Sequence, residues 1–241
     1  MASSIEESRT IPLAVPKRPS LIAGALAIAS KDLRTELRSK ETVTAMFVFA
    51  LLAIMIFSFA LEFERVSREA AAAGVLWATL IFAGTLGLGA SLGREKDQGC
   101  LDGLLLTPVD RSALYFGKLI GNFIFMMVIG LVLMPLMSLL FDTSFLKPLV
   151  LIVLILGVLG YAGVGTLIAS MSIYARGREV LLPILLLPIA LSILIPSVRA
   201  TRGLLEDVPL GELVVWFNML GAANVIYITL AYMLFDYVVE E

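Results

Sequence analysis

The sequence predicts an all-α, polytopic membrane protein with six transmembrane helices. Of its 241 residues, 59% are hydrophobic and the mean hydropathy is +0.97, whereas a soluble domain is about half apolar. A spanning helix needs about 20 mostly apolar residues. Six stretches meet that requirement: residues 43–61, 70–93, 119–141, 149–171, 180–198 and 213–238. They hold no charged residue except Asp236, near the end of the last stretch.

The basic residues predict the orientation of these spans. If the N-terminus is cytoplasmic, 13 of the 18 Lys and Arg residues fall in the tail and the inner loops, and 5 fall in the outer loops. Such a bias sets the topology of membrane proteins, so both termini are predicted to be cytoplasmic. The formal net charge is −2, which gives no sign of the basic surface that binds nucleic acid.

The chain before the first span divides into two parts. Residues 1–19 contain three prolines and scattered charge, which predicts a mobile tail, and residues 20–241 are predicted to form a single transmembrane domain. Within residues 20–40, apolar side chains recur at helical spacing and charged side chains take the other positions. This pattern predicts an amphipathic helix in the plane of the membrane interface. Its apolar residues are Ile22, Leu26, Ala29, Leu33 and Leu37, and Arg34 is among its charged ones.

A cleaved signal peptide is the alternative interpretation of this N-terminal region. Lys17 and Arg18 precede a short apolar run that ends in small residues, as in such peptides. The apolar run is at the short end, however, and the helical pattern continues through the charges that follow it. The interfacial helix is therefore the favoured interpretation.

Several kinds of chemistry are excluded by residues that the sequence lacks. It has no histidine and a single cysteine, Cys100, so the usual general base and an intramolecular disulfide are both missing. Gly117 and Lys118 lack the upstream glycine and the following Ser or Thr of a phosphate-binding loop. We predict no catalytic residue, no metal site and no directly bound cofactor. Any ATP must then be hydrolysed by a partner chain.

The connection between the second and third spans is the strongest candidate for a functional segment. Residues 94–118 begin with charged side chains, followed by Gly99 and a short run in which leucines surround Asp102. Thr107 suits an N-cap and Pro108 suits the first helical position. The pattern predicts a short surface helix and a capped re-entry into the membrane. From these residues alone, a solvated connector and a helix that plugs into a soluble partner's groove remain open.

Part of this segment resembles the coupling helix of the ABC-2 class of ABC transporter permeases, whose pattern is E-x-x-x-G-[ST]-L-[ED]-x-L-x-x-x-P. The matching residues run from Glu95 to Pro108, with Cys100 where the class has Ser or Thr. The chain also carries a Lys-Asp-Leu-Arg entry at residues 31–34, Gly117-Lys118, and prolines 183 and 188 in the fifth span. With these features it is similar, over about residues 21–240, to CcmB, the haem exporter protein B family of cytochrome c maturation.

The resemblance implies a non-catalytic permease of the cell inner (plasma) membrane that forms a homodimer and docks a separate CcmA-type ATPase. It also implies a complex with CcmC- and CcmD-type membrane proteins, in which the partner uses ATP and the complex handles haem and releases a haem-loaded CcmE-type chaperone. The alternatives are a permease of the same class exporting a lipid, polysaccharide or drug, and a non-transporting membrane scaffold. The residues implied in ATPase coupling are Glu95, Asp97, Gly99, Cys100, Leu101, Asp102, Leu104, Leu105 and Pro108.

Two further groups of residues are candidates for contacts at the same membrane face. Arg176, Arg178 and Glu179 lie in the short loop between the fourth and fifth spans, where they could contact the ATPase, contact anionic headgroups or only set the topology. In the interfacial helix the candidates are Leu33, Arg34 and Leu37.

Small residues and prolines predict how the spans pack. Glycines at spacings of three and four line the second and fourth spans, which predicts close helix packing, with sliding between substates as the functional alternative. The fifth span holds three prolines, at 183, 188 and 196, so it is expected to be kinked or partly unwound.

Overall fold

The computed structural model describes residues 20–60, 68–97, 111–172 and 177–238, and these ranges contain helices and turns without any strand. The predicted all-α class is confirmed. Residues 1–19, predicted to be a mobile tail, lie outside the described residues. The helices found in the described ranges are α1 (Leu21–Ser39), α2 (Glu41–Ala60), α3 (Arg68–Asp97), α4 (Arg111–Phe141), α5 (Pro148–Ser172), α6 (Arg178–Leu205) and α7 (Leu210–Val238).

Helices α2 to α7 are the six that are long and apolar enough to cross a membrane, so the chain is a multi-pass membrane protein. Two of them extend well beyond the apolar stretches. Helix α4 begins at Arg111 rather than at residue 119, and α6 continues past residue 198 to Leu205. Leu205 is buried, and Gly203 lies against the side chain of Leu213. Packing between α6 and α7 therefore keeps this region helical up to a turn at residues 206–209.

Helix α6 also departs from the sequence expectation at its prolines. It is helical throughout, although Pro183, Pro188 and Pro196 all lie inside it. A proline removes one backbone hydrogen bond and crowds the preceding turn, but neighbouring helices stabilise such positions in membrane proteins. Partial unwinding, one of the two expected outcomes, is therefore not observed.

The six long helices run alternately up and down. Trp77 of α3 meets Gly157 of α5 and Leu88 meets Gly165, so these two helices are parallel. The indole N–H of Trp77, near the start of α3, donates to Thr201 over 2.9 Å. Thr201 lies near the C-terminal end of α6, so α6 runs antiparallel to α3. This order places the end of α3, the start of α4, the end of α5 and the start of α6 together. We call this the α1 end of the bundle, since α1 packs there on α4.

Glycines allow the close approach of these helices. An added Cβ at Gly157 would clash with the ring of Trp77, and one at Gly84 would lie 2.5 Å from Met126 Cε. The predicted tight packing is confirmed at these crossings, while sliding between substates stays a prediction. The crossings also carry side-chain hydrogen bonds: Tyr161 donates to the Ile81 carbonyl over 3.0 Å. Bonds of this kind in membrane helices contribute about 0.6–2 kcal/mol each.

Candidate functional site

The described residues give the two ends of the predicted coupling segment. Helix α3 ends at Asp97 and α4 begins at Arg111, so the segment leaves and re-enters the bundle at the α1 end. Glu95 and Asp97 lie in the last turns of α3, where the structure describes the backbone but not these side chains. The other candidates lie outside the described residues: Gly99, Cys100, Leu101, Asp102, Leu104, Leu105 and Pro108. Their role in coupling stays a prediction.

The second candidate loop enters the bundle at the same end. Arg176 lies outside the described residues, and Arg178 and Glu179 form the first turn of α6, with their side chains outside the description. Gly177 precedes them with a φ of +77°, a left-handed conformation that costs glycine little. The structure thus gives the backbone start of this helix, while its contacts with a partner stay a prediction.

Helix α1 packs closely on the first turns of α4. A Cβ at Gly117 would lie 2.7 Å from Ile28 Cβ and 2.9 Å from the carbonyl oxygen of Ala25. Only glycine fits there without displacing α1. The buried face of α1 therefore includes Gly24, Ala25 and Ile28. The face with Ile22, Leu26 and Leu37 is exposed.

A buried ion pair lies beside this contact. Lys118 Nζ donates to Asp32 Oδ2 over 2.9 Å, with side chains that are only 4% and 9% exposed. Gly121, one turn further along α4, faces the same residue: a Cβ there would be in ordinary contact with Asp32 Cβ, at 3.7 Å. Lys31 Nζ approaches the other carboxylate oxygen at 3.1 Å. A buried charge is costly unless it is paired, so this pair holds α1 in register with α4.

A second buried carboxylate joins α1 to α2. Lys40 ends α1 in a left-handed conformation, with a φ of +55°, and its N–H donates to the carbonyl of Glu36 over 2.6 Å. The side chain of buried Glu36 accepts the N–H of Val43 over 2.9 Å. That N–H belongs to the first turn of α2, where backbone donors lack partners within the helix. Glu36 therefore caps α2 and fixes the angle between the two helices.

The same turns of α4 are bonded to α5 on their other side. The hydroxyl of Tyr115 donates to the carbonyl of Gly163 over 3.1 Å, and the amide of Asn122 donates to Thr166 over 3.0 Å. Both α4 side chains are buried. We call α1 together with residues 111–122 the α1–α4 platform. It attaches the start of α4, which follows the predicted coupling segment, to α2 and α5.

The three candidate residues on α1 differ in their exposure. Leu33 is partly buried, whereas Arg34 and Leu37 are exposed. The sequence pattern places Gly117 and Lys118 in the helix of the third span, but it did not pair Lys118 with Asp32. A signal was present, since Lys118 lies between Gly117 and Gly121 on a helix that continues N-terminally. The position of α1 at a membrane interface stays a prediction.

Comparison with known proteins covers nearly all of this architecture. Residues 23–240 match the CcmB protein family, from the first turn of α1 to just past α7. The chain belongs to the CcmB family. The Heme exporter protein B of Pseudomonas aeruginosa is 21% identical over 196 residues, which cover 81% of this chain and 88% of that relative. Apart from the first two residues of α1, the α1–α4 platform therefore lies within the region that matches the CcmB family.

Proposed function

We propose that this chain is the membrane permease subunit of an ABC transporter that handles haem in cytochrome c maturation. The observation that carries the proposal is the CcmB family match over residues 23–240. The name of the related Heme exporter protein B supports haem as the cargo of the complex. The proposed setting is the inner membrane, with both termini in the cytoplasm and the α1 end facing it.

Energy is proposed to come from a separate CcmA-type ATPase that docks on the segment from Glu95 to Pro108. The chain has no phosphate-binding loop of its own. Its platform supports a transmitting role, because Lys118 and Tyr115 bond the first turns of α4 to α1 and α5. A displacement of the segment then moves packed helices instead of being absorbed in a loose connection, and packed interfaces switch between discrete arrangements.

Haem is proposed to be held by partner chains rather than by this one. The sequence has no histidine, and Met126, Met134 and Met137 are buried in the hydrophobic core, where methionine commonly fills gaps. Among the described residues, a cavity between α2, α3 and α4, lined by Met46 and Asn122 among others, measures about 10 Å³, roughly the space of one water molecule. Sites for drug-sized ligands measure about 300–1,000 Å³. This chain is therefore proposed to transmit conformational change within a complex.

The proposed complex contains two copies of this chain, the ATPase, and CcmC- and CcmD-type membrane proteins, and it releases a haem-loaded CcmE-type chaperone. Purifying the tagged full chain from its native membranes in a mild detergent tests this composition. Mass spectrometry of the co-purified proteins is expected to find an ATPase with a phosphate-binding loop together with haem-carrying proteins. Leu101→Asp combined with Asp102→Ala is expected to reduce the recovery of the ATPase and to keep the membrane partners.

Two outcomes would contradict the proposal in different ways. An ATPase recovered without any haem-handling protein would indicate an exporter of another substrate. Recovery of membrane partners without any ATPase, from the unmodified chain, would indicate a non-transporting scaffold. Arg202→Gln is a matched control, because Arg202 pairs with Glu206 at the opposite end of the bundle and its loss is expected to leave the composition unchanged.

A further inference from the structure

The fold buries the acidic side chains of α1 and leaves its basic side chains exposed. In sequence the helix carries acidic and basic residues side by side, but its two acids face inward: Asp32 pairs with Lys118, and Glu36 caps α2. The exposed charges that remain on α1 and its C-cap are all basic, namely Lys31, Arg34, Arg38 and Lys40. The nearest exposed acid is Glu41, in the first turn of α2, where an acid complements the helix dipole.

A row of exposed apolar side chains lies beside these cations. Ile22, Leu26 and Leu37 are 70%, 55% and 69% exposed. At about 100° per residue they fall within roughly 60° of one another around the helix. Arg34 and Arg38 follow on the adjoining side, one turn apart on a common face. Within the described part of the chain, no salt bridge engages either arginine.

We propose that this outward face of α1 binds the headgroups of anionic phospholipids. Ile22, Leu26 and Leu37, which we call the leucine row, would enter the boundary between headgroups and acyl chains, as in interfacial helices. The guanidinium groups of Arg34 and Arg38 would then lie at headgroup level, where they can donate paired hydrogen bonds to phosphate oxygens. A net-negative headgroup complements this face, because the acids that would repel it are buried against α4 and α2.

The position of α1 favours a lipid over an acidic protein as the occupant. Only Lys40 separates the end of α1 from Glu41, where the first helix able to span the membrane begins, so the proposal places α1 at the edge of the hydrocarbon layer. An acidic protein surface would satisfy the arginines but would leave the adjacent leucine row in water. A bilayer surface satisfies both. The inference is independent of the ATPase and of haem, and it goes beyond the proposed function.

Energy transfer from a dye on α1 tests the proposal locally. The full chain with Cys100→Ser and Ala23→Cys carries a donor dye at exposed residue 23, and it is reconstituted in nanodiscs of phosphatidylcholine containing acceptor-labelled phosphatidylglycerol or acceptor-labelled phosphatidylcholine. We expect phosphatidylglycerol to be enriched around the dye, and Arg34→Gln with Arg38→Gln to remove most of that enrichment. The expected loss is about fivefold per cation, from about 1 kcal/mol each. High salt is expected to have the same effect.

Two controls keep the result interpretable. Arg34→Lys with Arg38→Lys is expected to retain most of the enrichment, which separates loss of charge from loss of folding, and Arg202→Gln at the opposite end is expected to change nothing. Equal transfer from both lipids in the unmodified chain would overturn the proposal, as would enrichment that survives the double glutamine change. If instead the double glutamine variant loses only a soluble acidic partner, the face binds protein and the lipid proposal is wrong.

Discussion

Asp32→Ala is expected to lower the free energy of unfolding by about 3 kcal/mol, the largest effect we expect from a single change on α1. The substitution leaves the ammonium group of Lys118 without the carboxylate it donates to, at a site only 4% exposed. Removing one partner of a buried ion pair costs about 3–5 kcal/mol, mainly because a buried charge remains. Equilibrium unfolding of the full chain in mixed detergent micelles, followed by circular dichroism, measures the loss.

Three further variants separate the buried pair from ordinary surface charge. Asp32→Leu with Lys118→Met is expected to recover most of the lost stability, because apolar residues often replace a buried ion pair at little cost. Lys31→Gln is the matched control: it removes a cation from the same carboxylate, but its side chain is 43% exposed, so a change of about 1 kcal/mol or less is expected. Equal effects of Asp32→Ala and Lys31→Gln would show that the pair does not hold α1 on α4.

Gly157→Ala is expected to cost about 2 kcal/mol at the crossing of α3, α5 and α6. The added Cβ would clash with the indole ring of Trp77 and would lie 2.8 Å from Ser197 Oγ. The ring cannot easily move, because it is buried and its N–H is bonded to Thr201. Overpacking of this kind costs about 1–3 kcal/mol.

Gly221→Ala is the matched control for Gly157→Ala. It also lies inside a long apolar helix, but a Cβ there would meet no atom within 4 Å. The free energy of unfolding of the Gly221→Ala variant is expected to be unchanged or raised by up to about 1 kcal/mol, since alanine has a higher helix propensity than glycine. The same unfolding measurement compares the two variants. If they behave alike, the tight crossing does not contribute to stability.

The six spans could be predicted from sequence because the signal for a membrane helix is long and needs no tertiary information. About 20 apolar residues in a row satisfy the bilayer whatever their neighbours are. Hydropathy did not give the start of α4, although the capping pattern at Thr107 and Pro108 predicted that the helix begins before the apolar stretch. Lys118 is the kind of residue that marks the edge of a span, yet the helix continues past it to Arg111. Its charge is tolerated because Asp32, 86 positions earlier in the chain, neutralises it.

The orientation of α1 was harder to predict than its existence. Hydrophobic patterning gives most weight to large side chains, so it predicted that the row from Ile22 to Leu37 is the apolar contact face of the helix. The fold buries a different face, which includes Gly24, and packs Ala25 and Ile28 against Gly117. Helices near a membrane gain little from burying leucine rather than leaving it in lipid, and they gain from close approach of small residues. The leucine row is therefore left for another contact.

The candidate coupling segment was predicted from a motif, while the platform that holds its re-entry point required the structure. The motif is local, since Glu95 and Pro108 are close in sequence. The platform depends on pairs far apart in the chain, such as Tyr115 with Gly163 and Lys118 with Asp32. No spacing rule joins such residues before the helices are packed.

The ATPase rate of the purified complex tests the central claim, that a separate ATPase drives this chain through the segment from Glu95 to Pro108. We expect Glu95→Ala, or Leu101→Asp with Asp102→Ala, to leave the chain inserted and folded but to reduce its stimulation of the partner ATPase about fivefold or more, as loss of an allosteric coupling does. Gly221→Ala is expected to retain full stimulation. Undiminished stimulation together with normal cytochrome c maturation in the segment variants would contradict the claim.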